Sequence, residues 1–367
     1  MQKKSNLTKI LVATGIACMW MSSSAAAQDY NDALDYFYFG RQPSAKAEAM
    51  GKAMVATNAD AYSSFYNPAA ISLNQGRTAS TSYASPYYGF NDANYLFAGI
   101  TGEWGDRSAV GLSFFRFSFG ESQSMSSVQL PDGPGETFTP AVTMYTLSLS
   151  SRIVHNLHAG INLNYVRDEG YFDDATLPID IGLIQTFHLT ENQNLKFGAS
   201  LFNINDSKLK LEEIGVYTQE AALPISFRTG ASYQLLWGSS TLNATPIKTY
   251  GVSWQVEYVE LLNSDYYSGI RTGAEFTFME MVSMRLGYYN ENRNDYGYPE
   301  SNKDELSDFT YGLGVAFPIE GLFNDQSSLT AKLDLARMKQ PSASKNFDNF
   351  DSFSVYNLSL IWTPESK

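Results

Sequence analysis

The sequence predicts an all-β protein, a 14-stranded antiparallel transmembrane β-barrel with an N-terminal lumenal hatch. Three observations lead there. Segments of roughly ten residues alternate apolar and polar side chains with a period of two, the signature of a strand with one apolar face. The connections between these segments alternate between tight turns and long polar stretches. Aromatic residues make up 14% of the 367-residue chain, with 24 Tyr and 23 Phe, more than a soluble domain hides easily. After residue 60 almost no segment carries apolar residues at helical spacing. No later apolar run reaches the 18 or so residues that a spanning helix needs.

The chain opens with a leader. Lys3, Lys4 and Lys9 form a positive region, residues 10–21 are apolar, and Ala25 and Ala27 frame a cleavage site. This reads as a secretory signal over 1–27, with an apolar run too short to span a bilayer. Cys18 raises a lipoprotein alternative, but Gly15 stands where a lipobox wants Leu. Cleavage at Ala27 removes the only cysteine, and with it disulfides and a thiol nucleophile. Without the three leader lysines, 22 basic residues face 38 acidic ones, a net charge of −16. That balance argues against a nucleic-acid partner, which calls for a basic face.

Residues 28–77 are expected to form the hatch. The stretch 47–73 is nearly uncharged and rich in Ala, Ser, Met and Asn, too broken for a long helix and too small for a strand. Irregular backbone cannot face lipid but is tolerated inside a barrel. Fourteen strands enclose a lumen wider than wall side chains fill. Gly40, Gly51 and Pro68 allow the tight folds of such a plug.

The barrel is expected over 78–367. Its strands fall near 78–84, 94–104, 108–119, 142–152, 157–167, 177–189, 194–205, 223–236, 250–261, 268–278, 282–290, 309–318, 328–337 and 353–362, lengths close to the ~9–11 residues of a tilted spanning strand. In the last, Tyr356, Leu358, Leu360 and Trp362 share one face. Tight turns are expected at 105–106, 154–156, 190–193 and 279–281. Long loops are expected at 120–141, 206–222, 291–308 and 338–352, with 238–248 the main exception on the short side. An outer-membrane barrel pairs short periplasmic turns with long outside loops in this way. The even strand count returns both mature termini to the periplasm.

The polar faces carry Arg228, Glu257, Arg271, Glu275, Arg285, Lys332 and Asp334, which alternation places in the lumen. They either form an ion-pair network that stiffens the wall or line a ligand path. An enzyme needs a base, and the histidines are His155, His158 and His188. His155 and His158 flank a turn and His188 ends a strand. No Ser-His-acid set is legible, so no catalytic residue, metal site or cofactor is expected.

The stretch "RQPSAKAEAMGKAMVATNADAYSSFYNPAAISL" resembles the hatch of the FadL-type outer-membrane transporters. Ser44, Ala45, Ala49, Met50, Gly51, Ala53, Asp60, Ala61, Tyr66, Asn67, Pro68 and Ala69 follow that pattern in order. Within the superfamily the chain most resembles the PorV/PorQ branch, through "LPISFRTGASYQL", "GAEFTFMEMVSMRLGYYN" and "FTYGLGVAFPI". Lys52 and Ala70 depart from it, standing where glycine is usual, which removes conformational freedom at two hatch turns. The resemblance implies an outer-membrane barrel working in type IX secretion, with a secreted protein cargo or a translocon as partner. The FadL-type alternative is a channel for long-chain fatty acids or other hydrophobic small molecules. For that role, hatch aromatics such as Phe37, Phe39, Phe65 and Tyr66 would supply an apolar pocket.

Overall fold

The computed structural model describes residues 42–57, 60–74, 76–85, 93–118, 120–123, 137–169, 173–212, 218–242, 245–263, 267–293, 305–319, 327–338 and 353–364. The leader, Cys18, Phe37, Phe39 and Gly40 lie outside the described residues.

Fourteen long strands form the wall. They are β1 (Arg77–Ala84), β2 (Asn94–Trp104), β3 (Ser108–Ser118), β4 (Ala141–Val154), β5 (Leu157–Glu169), β6 (Ile179–Thr190) and β7 (Gln193–Phe202). They continue as β8 (Ser226–Trp237), β9 (Tyr250–Leu261), β10 (Tyr267–Phe278), β11 (Val282–Arg293), β12 (Glu305–Ile319), β13 (Ser327–Met338) and β14 (Phe353–Pro364). Each pairs antiparallel with its neighbours in sequence. β1 also pairs with β14, from Arg77↔Trp362 to Ala84↔Val355, so the sheet closes on itself and leaves no edge among the barrel strands.

The alternation read from sequence becomes a wall with two faces. In β1 the burial pattern is strictly exposed-then-buried. In β14 Tyr356, Leu358 and Leu360 face outward while Val355, Asn357 and Ser359 are buried. Large apolar residues exposed on the outside, such as Ile100, Leu112, Ile270, Leu286 and Leu313, are what a lipid-facing surface requires.

Strand ends differ from the expected ones where local chemistry intervenes. The segment expected over 177–189 starts at Ile179, because Pro178 has no N–H to give a ladder. The one expected over 194–205 stops at Phe202, because Asn203 adopts φ 52 and turns the chain. Its side chain fixes that turn: Asn203 Oδ1 accepts from Ser207 N (2.8 Å) and Nδ2 donates to Leu223 O (3.0 Å). The one expected to begin at 223 begins at Ser226, after Pro224. Within the expected loop 206–222, Lys208–Glu212 and Thr218–Ala222 form an antiparallel hairpin of their own. The exceptional short-side connection also holds a small hairpin, Ser240–Leu242 with Thr245–Ile247. No helix among the described residues is long and apolar enough to cross a membrane.

Candidate functional site

The candidate site is the lumen and the segment lying in it. Residues 42–57 and 60–74 are almost wholly buried against the inward faces of the strands. They form α1 (Ala45–Ala49), α2 (Ser63–Tyr66) and a 3-10 helix over Pro68–Leu73.

The two motif clusters are helix punctuation. Ser44 caps α1, its hydroxyl accepting from Ala47 N. Gly51 ends it in the left-handed region (φ 62), and Lys52 N donates back to Ala47 O at 2.8 Å, a Schellman closure. Asn67 caps the 3-10 helix, its Oδ1 accepting from Ala69 N (3.0 Å), with Pro68 at the first helical position. The amide of Asn67 also reaches the wall, donating to Leu183 O (3.1 Å), Ala199 O (3.2 Å) and, within the segment, Val55 O (2.9 Å). Tyr66 OH accepts from Ser44 N (3.1 Å), and burial holds its phenol well above the usual range.

Lys52 stands in the left-handed conformation that glycine would take more readily, with φ 67. Ala70 lies in the 3-10 helix, where the missing glycine freedom is not needed.

A belt of inward-facing glycines seats this segment. Gly160, Gly182, Gly198, Gly230, Gly273, Gly287 and Gly312 come one each from β5, β6, β7, β8, β10, β11 and β12. A Cβ at Gly182 would run into Asn67 Oδ1, and one at Gly273 into the Met50 carbonyl. Conversely, a Cβ on Gly51 would lie 2.5 Å from the wall carbonyls of Thr272 and Tyr288. At Gly160, Gly198, Gly273 and Gly287 backbone rests directly on backbone, while Gly182, Gly230 and Gly312 receive the side chains of Asn67, Val55 and Ala49, approaches that only glycine allows. β9 contributes Glu257 instead, whose Oε2 accepts from Met54 N (2.7 Å) and Val55 N (2.9 Å).

Six of the seven lumenal charges expected from sequence join one side of the wall. Arg271 bridges Glu257 (3.2 Å) and Glu291 (2.9 Å), and Lys52 of the segment reaches the same Glu291 (3.2 Å). Arg285 bridges Glu275 and Asp334, Lys46 pairs with Glu275 (3.0 Å), and Lys332 with Asp334 (3.2 Å) and Asp60 (3.9 Å). Lys46, Asp60, Glu275 and Lys332 are slightly exposed, the others buried. The set is balanced, five cations to five carboxylates, as buried charge requires. Arg228 lies apart, its guanidinium 4.8 Å from the Phe202 ring. Sequence alone does not point to Lys46 or Glu291, and it marks Lys52 only for standing where glycine is usual; Glu291 shares the parity of Arg271 and Arg285, the signal that finds it.

The opposite side of the lumen is aromatic. Tyr95 and Phe97 of β2 and Phe115 and Phe117 of β3 are buried and receive the segment's rings. Phe65 meets Phe115 edge-on at 5.3 Å, and Tyr62 meets Phe97 at 4.7 Å. Beside Phe65 a cavity of about 20 Å³ is lined by Met144, Asp180, Phe202, Leu223 and Arg228. Of the histidines, His155 sits in a turn, His188 Nδ1 meets Asn194 Oδ1 (2.6 Å) and His158 Nδ1 meets Ser72 Oγ (2.7 Å). Ser72 is followed by Ser150 (2.7 Å), so this chain continues to a hydroxyl rather than a carboxylate.

A family model described as type IX secretion system protein PorV matches residues 36–248, more than half of the chain. No curated protein sequence matches. Among solved structures, the monoaromatic hydrocarbon channel CymD is 13% identical with a TM-score of 0.51, covering 89% of this chain and 98% of that one. The toluene transporter TodX of Pseudomonas putida is 12% identical with a TM-score of 0.49, over 89% and 98%. At such identity the likeness to CymD concerns the fold alone.

Proposed function

The chain belongs to the PorV family of type IX secretion system proteins, and from that premise we propose that this outer-membrane barrel serves protein secretion by binding, with its lumen kept closed. The N-terminal segment is a permanent plug rather than a gate. The working surface is the long-loop end, including the hairpin Lys208–Glu212 with Thr218–Ala222, and the partner is a secreted protein cargo or the translocon. The role is binding rather than catalysis. The observation that carries this reading is the seating of the plug, which rests on glycines around much of the wall and whose Lys46 and Lys52 are ion-paired to it. On this reading a segment held at so many points keeps the lumen closed.

Replacing residues 208–222 by a tight turn tests it. The barrel should still show a heat-modifiable folded band while capture of cargo or translocon partner is lost. Retained capture would sink the reading. One feature favours the alternative of a channel for long-chain fatty acids or other hydrophobic small molecules: the cavity beside Phe65, with its apolar lining of Met144, Phe202 and Leu223. On that reading, deleting residues 47–66 raises uptake of a hydrophobic probe; on ours it opens a leak to polar solutes as well, without selectivity.

A further inference from the structure

The outward wall carries a depression that sits where β13, β14, β1, β2 and β3 meet, at the end of the barrel bearing the tight turns. Its volume is about 500 Å³. Two rows of laterally paired residues make it. One row runs Leu329, Trp362, Arg77, Gly102, Val110; the next runs Leu360, Ala79, Ile100, Leu112. Gly102 and Ala79, small residues on adjacent strands, form the floor between larger neighbours. Ile100 and Leu112 are more than half exposed on one flank.

Arg77 is the unusual member. It is exposed in a groove whose outward side chains are mostly apolar, with Glu103 at the rim accepting from Gly76 N (3.0 Å), and among the described residues it has no ion-pair partner. Its guanidinium stands 4.6 Å over the Trp362 ring. Its stem passes over Gly102, where an added Cβ would come within 3.3 Å of Arg77 Cγ. The arginine is thus held in place by an indole on one side and given room by a glycine on the other. Trp104, Trp237, Tyr250, Phe278 and Trp362 mark the same end of the barrel, the aromatic girdle that lies at headgroup level. An outward arginine at that level faces lipid phosphate, which guanidinium binds well.

We propose that this groove is a binding site for one phospholipid of the periplasmic leaflet, its phosphate on Arg77 and an acyl chain laid over Ala79 between Ile100 and Leu360. The tight-turn end sets the leaflet, since short turns face the periplasm in this class of barrel. Phosphate-bearing lipid A of the outer leaflet would meet the opposite end of the strands. The site straddles the β1–β14 closure, so a bound lipid also covers the join between the first and last strands.

Native mass spectrometry of the detergent-solubilised full chain tests this with three added probes: phosphatidylglycerol, diacylglycerol and lipid A. The wild type should retain one phosphatidylglycerol in preference to the other two. Arg77→Gln should weaken that adduct about tenfold, the scale of one charge-assisted contact. Arg77→Lys should restore part of it, and Ala79→Leu, which fills the floor without touching the arginine, should weaken it as well. Heat-modifiable migration confirms folding of each variant, and the Arg77→Lys arm stands if Ala79→Leu fails to fold. Equal adducts in wild type and Arg77→Gln, equal retention of diacylglycerol, or preference for lipid A would each overturn the proposal.

Discussion

Lys52 combines a backbone conformation that disfavours side chains with a charge buried to 1% exposure. The left-handed turn costs a non-glycine residue roughly 1–2 kcal/mol. What offsets it is Glu291 at 3.2 Å and the Tyr289 ring at 4.3 Å from Nζ. Lys52→Met keeps the strain and removes the pairing, so it should destabilise by about 3 kcal/mol, the low end for a broken buried pair because Arg271 still holds Glu291. Lys52→Gly relieves the strain and should lose about 1 kcal/mol less. A urea titration of the folded gel band gives both values, and a Lys52→Met variant as stable as wild type would show that the charge does not matter. Leu360 tests the other face. Arg at a mid-membrane lipid-facing position costs ~2–4 kcal/mol, falling near the interfaces, so Leu360→Arg should impair assembly where Leu360→Phe does not. The neighbouring Ser359 is no neutral control: it is fully buried, bonded to Asp60 Oδ2 and Ser80 Oγ (both 2.9 Å), and an Arg there overpacks the plug contact.

At the scale of elements, the strands and the plug differ in how they are written. A strand with one face in lipid and one in a polar lumen must alternate, so β4, β5, β13 and β14 are visible in sequence almost residue by residue. The plug's own turns are visible too, since Gly51, Asn67 and Pro68 are there for backbone reasons. Its seat is not, because a glycine inside a strand reads locally as weak strand propensity. The contact that requires Gly182 lies 115 residues away at Asn67, and nothing local announces it. The signal is collective: seven strands each place a glycine on the inward parity. Gly273→Val tests the seat. Valine suits a strand, and the outer face is untouched, so the barrel should close and remain heat-modifiable. The Met50 carbonyl loses its place, and the segment should lift from the wall. Trypsin should then cut at Lys46 or Lys52 in the folded variant but not in the wild type. Wild-type resistance in Gly273→Val would mean that the belt is incidental to plug seating.

For the whole molecule the governing quantity is orientation, because the proposed working loops and the proposed lipid groove lie at opposite ends of the strands. β1 begins and β14 ends at the same end, with Arg77 opposite Trp362. The turns between β2 and β3, β4 and β5, β6 and β7, and β10 and β11 are all tight and all at that end, while the 208–222 hairpin lies at the other. A chain threaded from the periplasm exports long loops and keeps short turns behind, so both termini should be periplasmic. The mature chain has no cysteine if the leader is cleaved as expected, which makes single thiols clean reporters. Glu220 is exposed in the hairpin and Asn192 lies in the tight turn between β6 and β7. In intact cells a membrane-impermeant maleimide should label Glu220→Cys and spare Asn192→Cys; after the outer membrane is permeabilised, both should react. Labelling of Asn192→Cys alone in intact cells would invert the molecule. It would put the hairpin out of reach of cargo at the cell surface and Arg77 in the leaflet of lipid A, so that one measurement bears on the secretion role and the phospholipid site together.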